Sequence, residues 1–243
     1  MQFTEKEYLD ILEKFKDIFV NFEDLDSQIK KKAFLRHDVE VDLDKAVYLA
    51  SLNQSKNVCG TFTIQVVSNL YNIHSIKNLR LIKKIHKFKQ KIGLHYYSEF
   101  RDSKNFNFQD FKKQQILLDT ALKELNIEPF KVFSYHRPTS IQLEASREKR
   151  APEGYIDCYS PRFFEYTDSP IKAKIKYMSD SDHEWKYGHP LNEDLKNFDT
   201  YQILMHPEEW PISDTNEVYS SILNSSIDKI KDTLETEYKK YSR

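Results

Sequence analysis

Seven short apolar runs alternate with amphipathic helical stretches along this chain, and that alternation restricts its fold more than any other feature. The runs are Ala33 to His37, VCGTFTIQVV, KIGLHYY, KVFSYH, YIDCYS, KIKYMS and YQILMH; helical periodicity marks Thr4 to Phe19, Leu43 to Leu52, Ile76 to Phe88, Phe108 to Leu125 and Ser213 to Tyr238. Consecutive strands separated by helices pair in parallel, because a parallel crossover needs roughly a dozen residues, usually a helix. The expected architecture is therefore an α/β barrel or an open doubly wound sheet. With four glycines and no linker rich in Gly, Pro or Ser, residues 1–243 are expected to form one domain. The stretch Glu144 to Pro161 reads as a surface excursion.

Charge and cysteine usage remove several classes of function. A formal net charge of −1, with no long basic block, leaves no field for a nucleic-acid partner. The lysines between Lys83 and Lys91 alternate with Ile85 and Phe88, as on a solvated helix face. Cys59 and Cys158 lack the spacing of a zinc finger or redox pair and are expected to be reduced core residues. The first fifteen residues are charged and amphipathic rather than signal-like, and no segment approaches membrane-spanning length, so the expected location is cytoplasmic. Nothing in the pattern is a clear dimerisation signature.

Ionisable residues recur where the apolar runs end, the edge at which parallel α/β folds build their sites. LRHDVEVD places Arg36, His37, Asp38, Glu40 and Asp42 together; GLHYYSE, SYHRP, YMSDSDHEW and ILMHPEEW end four further runs. Singly, each has an ordinary structural reading. Asp180 and Asp182 suit a turn, Arg137 before Pro138 suits a surface bend, and His74, His86 and His189 read as structural. Jointly, at least four strand ends carrying an acid, a histidine or an arginine exceed what chance supplies.

In this order the motifs resemble the polysaccharide deacetylase family, the NodB homology domain of carbohydrate esterase family four, in the branch whose first motif reads HDVD. The likeness runs from about Phe34 to Trp210 through RHDVE, GTFTI, IGLHYYSE, YHRP, YMSDSDHEW and LMHP. The resemblance implies a distorted parallel (β/α)7 barrel with one divalent metal ion, usually zinc, at the carboxyl edge of its strands. It casts Asp38 as the general base, His206 as the general acid supported by Asp180, and Arg137 as the residue orienting the base. Glu40, His95 and Glu99 become the metal ligands, and Trp185, Tyr96 and His136 the substrate-contacting residues.

The chain departs from the family pattern twice. Glu99 stands where many members carry a second histidine four residues after the first, and Glu40 replaces the more usual aspartate. The extra carboxylate leaves manganese, magnesium, cobalt or nickel open beside zinc, with His37 and Asp42 as reserve ligands. The implied activity is hydrolysis of the N-acyl amide of an amino sugar or glycan precursor. The alternatives are an amidase for a small non-sugar amide and a silent glycan- or protein-binding relative.

Overall fold

The computed structural model describes residues 3–98, 107–148, 150–166 and 174–238. Its elements run α1 (Glu5–Phe15), β1 (Lys32–Val39), α2 (Leu43–Ser55), β2 (Thr61–Ile64), α3 (Ile76–Lys87), β3 (Lys91–Tyr96) and α4 (Phe108–Glu124). They continue with β4 (Val132–Tyr135), α5 (Ser140–Arg147), β5 (Ile156–Asp157), β6 (Ile175–Ser179), β7 (Thr200–Met205) and α6 (Thr215–Glu237). All seven apolar runs are strands.

The helices begin where the sequence offers side-chain acceptors for their free N–H groups. Thr4, Asp42, Ser75, Asn107, Thr139 and Asp214 each cap one, and Thr139 with Gln142 closes a full capping box. The strands pair in the order β5-β4-β3-β2-β1-β7-β6, every neighbour parallel. At Gly93 a Cβ would stand 2.6 Å from the Val132 carbonyl oxygen, so only glycine lets β3 and β4 approach there.

The sheet curls into a barrel of the distorted (β/α)7 kind. Arg36 on central β1 donates to the Tyr159 hydroxyl, just past edge strand β5, at 3.0 Å. Gln202 on β7 donates to the Cys158 and Phe163 carbonyls at 3.0 Å each. A flat sheet could not bring these residues together. The rings of Tyr159 and Tyr177 on β6 lie 6.4 Å apart, although no β5–β6 pairing closes the seam among the described residues.

Side-chain alternation sorts each strand into two faces. Leu35, His37 and Val39 of β1 and Tyr201 of β7 point outward to a helical layer, where α1 contributes Tyr8, Ile11, Leu12 and Phe15 to the core. Phe34, Arg36 and Asp38 point inward. Phe34 meets Phe22 and Phe163 at ring separations of 5.0 Å and plugs the amino end of the barrel. The expected surface excursion from Glu144 to Pro161 is instead part of the wall. It carries β5 and buries Asp157, Cys158 and Tyr159, whose carbonyl and hydroxyl groups satisfy Gln202 and Arg36. No helix among the described residues is long and apolar enough to cross a membrane.

Candidate active site and metal-ligand cluster

Above the phenylalanine plug the inward residues form polar layers that rise to a cavity of about 710 Å³ at the carboxyl edge. In the lowest layer the fully buried Arg36 donates to Gln202 Oε1 at 2.9 Å. The same guanidinium grips Asp38, with Nε 3.1 Å from Oδ1 and Nη2 donating to Oδ2 at 3.2 Å. Thr63 and Ser134, inward on β2 and β4, also donate to Asp38 Oδ1, at 2.5 and 3.0 Å. Burial opposes ionisation of Asp38, yet Arg36, the nearby His95 and His206, and Thr63 together hold its carboxyl below the usual carboxylate range.

The top layer gathers Glu40, His95 and His136. Glu40 Oε1 lies 2.9 Å from His95 Nε2 and 2.8 Å from His136 Nδ1, and the two ring nitrogens are 3.3 Å apart. His95 Nδ1 is occupied by Ser134 Oγ at 2.8 Å, which fixes the ring so that Nε2 faces the cluster. His136 follows β4, its N–H still bonded to the Tyr96 carbonyl at 2.9 Å, and the backbone turns away at Arg137, where φ is +46°. One carboxylate oxygen and two imidazole nitrogens, mutually within 4.8 Å, form a donor set that could hold a divalent ion. Bonds of about 2.0–2.1 Å in tetrahedral geometry separate ligand atoms by roughly 3.3 Å; the two ring nitrogens stand at that spacing, and Glu40 Oε1, now at hydrogen-bond distance from both, would move out by a few tenths of an ångström to admit zinc. Burial opposes the charge on Glu40, but hydrogen bonds from His136 and His95 and the nearby charges of His95 and His206 pull its pKa far below the ordinary value.

A second unit stands beside this cluster. Asp180, at the end of β6 and fully buried, accepts from His206 Nδ1 at 2.7 Å, from the His206 backbone N–H at 2.9 Å and from Trp210 Nε1 at 2.8 Å. His206 Nε2 consequently points at the cluster, 3.8 Å from Glu40 Oε1. Burial would lower the His206 pKa, yet the Asp180 charge and hydrogen bond, with Glu40 and Glu208, raise it well above the ordinary value. Glu208 also lines the cavity; burial and the charge of Glu40 push its carboxyl up to about 8.

The structure thus gathers Asp38, Glu40, His95, His136, Asp180 and His206 into one cluster, of which Asp38, Glu40 and His206 line the cavity, and sets other expected site residues apart from it. Arg36, rather than Arg137, is the guanidinium on Asp38; Arg137 lines the cavity wall. His136, expected to touch substrate, sits among the candidate ligands, while Glu99 lies outside the described residues. Tyr96 follows inward His95 and must point outward, where its hydroxyl donates to Asp110 at 2.9 Å. Trp185 is 4% exposed and packs near Phe3 and His189, not on the cavity. The chain bends away from β6 through Asp182 and His183, both at positive φ, and carries Trp185 into the core.

The two reserve ligands are occupied as well. His37 faces the helical layer, stacked on Phe62 at 4.1 Å and bonded to the Tyr8 hydroxyl at 2.7 Å. Asp42 caps α2 and pairs with Lys229 of α6 at 2.8 Å.

Comparison with known proteins places this architecture. No protein-family model matches the sequence, and no curated protein matches it. Solved structures do match. A CE4 esterase from Streptococcus mutans aligns over 90% of this chain and 90% of its own, with TM-score 0.52 and 17% identity. The chitin deacetylase of the fungal pathogen Colletotrichum lindemuthianum aligns over 80% of this chain and 81% of its own, with TM-score 0.50 and 14% identity. The chain also spans 64% of the length of a mutant CE4 family pseudoenzyme with restored enzymatic activity, with TM-score 0.45 and 14% identity over 83% of this chain. The fold is that of the carbohydrate esterase family four deacetylases.

Proposed function

We propose that this chain is a metal-dependent hydrolase that removes the acyl group from the nitrogen of an amino sugar or glycan precursor. The observation that carries the reading is that three parts each present one residue to the same cavity: Glu40 from the Glu40–His95–His136 donor set, buried Asp38, and His206 from the Asp180–His206 pair. The single sheet that runs from β1 to β7 supports treating residues 1–243 as one domain.

Glu40 Oε1, His95 Nε2 and His136 Nδ1 would hold one divalent ion, most suitably zinc. Such an ion, when bound, supplies Lewis acidity toward a carbonyl oxygen and lowers the pKa of water. The chain's own residues handle the protons. Asp38, anchored by Arg36, Thr63 and Ser134, faces the cavity as the acceptor for a proton from water. His206, kept protonated by Asp180, carries a proton on Nε2 for the departing nitrogen, which must be protonated before it leaves. Arg137 and the aromatic rings of Tyr159, Phe164 and Tyr177 line the wall against which a sugar ring packs. The cavity volume suits a ligand of one or two sugar units better than a deeply enclosed polymer.

The purified protein, stripped of metal and reloaded with zinc, should release acetate from N-acetylated amino sugars. His206→Ala should abolish turnover with zinc still bound, and His95→Ala should lose both. Zinc-loaded protein that releases no acyl group from any N-acylated sugar or small amide would turn the assignment to the second reading, a silent binding relative. One observation favours that reading: both Asp38 oxygens are already engaged by Arg36, which makes the carboxylate a weak base.

A further inference from the structure

Helix α6 lies on the barrel with its faces reversed. The residues turned toward the body are Val218, Ser221, Ile222, Ser225 and Lys229, recurring every three or four positions. Ser225 and Lys229 bind Asp42, and Ser221 accepts from Lys45. On the opposite face stand Tyr219, Leu223, Ile227, Ile230 and Leu234, continued by Tyr238 at the C-cap, exposed by 74, 45, 39, 60, 52 and 54%. No residue of the helix is buried. An isolated amphipathic helix turns its apolar stripe to its own core; this one turns it to solvent.

We infer that this stripe is the interface for a second copy of the chain, paired antiparallel about a two-fold axis between Asp228 and Lys229. The spacing of the six residues is four, four, three, four, four, the near-heptad period of a helix–helix seam. That pattern reads the same in both directions, as an isologous contact requires. Around this axis Ile227 faces Ile230 of the second copy, Leu223 faces Leu234, and Tyr219 faces Tyr238.

The six side chains expose on the order of 600 Å² of mostly apolar surface. That is the upper end for the largest patch on a monomer and close to the roughly 800 Å² that each partner brings to a stable interface. A groove of about 370 Å³ between Ile230, Leu234 and Leu70 supplies the receiving site for Leu223 of the second copy. Flanking Ser220, Asn224, Ser226 and Thr233 are neutral, and Lys231 meets Ser226 of the second copy, so self-pairing brings no like charges together. The inner face of the same helix carries Ile222 onto the cavity wall, so pairing also clamps one side of the candidate active site.

Analytical ultracentrifugation of the full chain from 1 to 100 µM is expected to show a dimer. The variant I227E/I230E, altered only at exposed positions, should be monomeric over that range with unchanged circular dichroism. A wild-type monomer at every concentration, or a dimer that persists in the variant, overturns the interface. Single cysteines in a Cys59→Ser background set the direction. Ile227→Cys lies about 4.5 Å along the axis from its own copy and should cross-link on oxidation. Leu234→Cys lies about 16 Å from its copy and should not; equal cross-linking at both positions would mean parallel pairing and overturn the two-fold arrangement.

Discussion

One strand, β1, places two titratable environments back to back, and they differ in almost everything except residue type. On its inner face Asp38 and the following Glu40 meet His95, His136 and His206 beside the cavity that Asp38, Glu40 and His206 line. On its outer face His37 is sealed. The His37 ring joins a buried chain through the Tyr8 hydroxyl, Asn53 Oδ1 and Gln90 to the carbonyls of Val58 and Phe88. Burial lowers its pKa to about 3, so the imidazole is neutral at neutral pH. The difference teaches that a histidine at a strand end acquires chemistry from the face it takes: inward it meets acids and a cavity, outward it is a hydrogen-bonding core residue.

The inner face should break first and hardest. His136→Ala removes one of the three candidate ligands and should lower zinc content, measured by elemental analysis, to a small fraction of one equivalent. It should cut turnover by more than about 10³-fold, the loss of activation that a metal-bound water supplies. Glu99→Ala serves as the contrast: retained zinc there, with zinc lost in His136→Ala, would establish that the third ligand is His136 and not Glu99. The reverse pattern would return Glu99 to the ligand set.

Arg36 tests the layer beneath. Arg36→Met leaves Asp38 charged, buried and missing its guanidinium, a change that typically costs about 3–5 kcal/mol. Arg137→Met, on the cavity wall, should cost less unfolding free energy than Arg36→Met while weakening substrate affinity. Urea unfolding of the two variants separates the anchor of Asp38 from the wall of the cavity. Ser134→Ala should be milder. Ser134 bridges Asp38 and His95, and losing an outer-shell partner of this kind lowers metal affinity by about 10- to 100-fold, readable by competition with a zinc chelator.

Much of this division was legible in the sequence. The strand runs announced all seven strands, and their ionisable ends announced the edge at which the candidate site residues gather. Residue parity was the signal left unused. Asp38 and Glu40 alternate with His37, and His95 alternates with Tyr96; if His95 faces inward, Tyr96 cannot. The same rule places Ser134 and His136 together on the inner face of β4. Arg36 was legible by the same parity, two residues before Asp38. Trp185 was not, because its burial depends on left-handed backbone at Asp182 and His183, which local sequence does not encode. The reversed helix α6 was equally unreadable: its amphipathic pattern predicts a helix but not which face meets the barrel.

The outer face supplies the smallest and most specific effect. His37 binds a proton in the unfolded chain near pH 6.5 but in the folded one only near 3. Between those values the unfolded state holds more protons, so stability rises with pH in that window and falls as pH drops from 6.5 toward 3. A shift this large contributes up to about 1.4 kcal/mol per pH unit, or about 2 kcal/mol between pH 7 and pH 5. His37→Leu would lower stability at pH 7 by breaking the bond to Tyr8, but it should remove this slope. Unfolding free energies at the two pH values should therefore fall by about 2 kcal/mol more in wild type than in the variant. Equal slopes would mean that His37 is already protonated in the fold, and the contrast between the two faces of β1 would have to be redrawn.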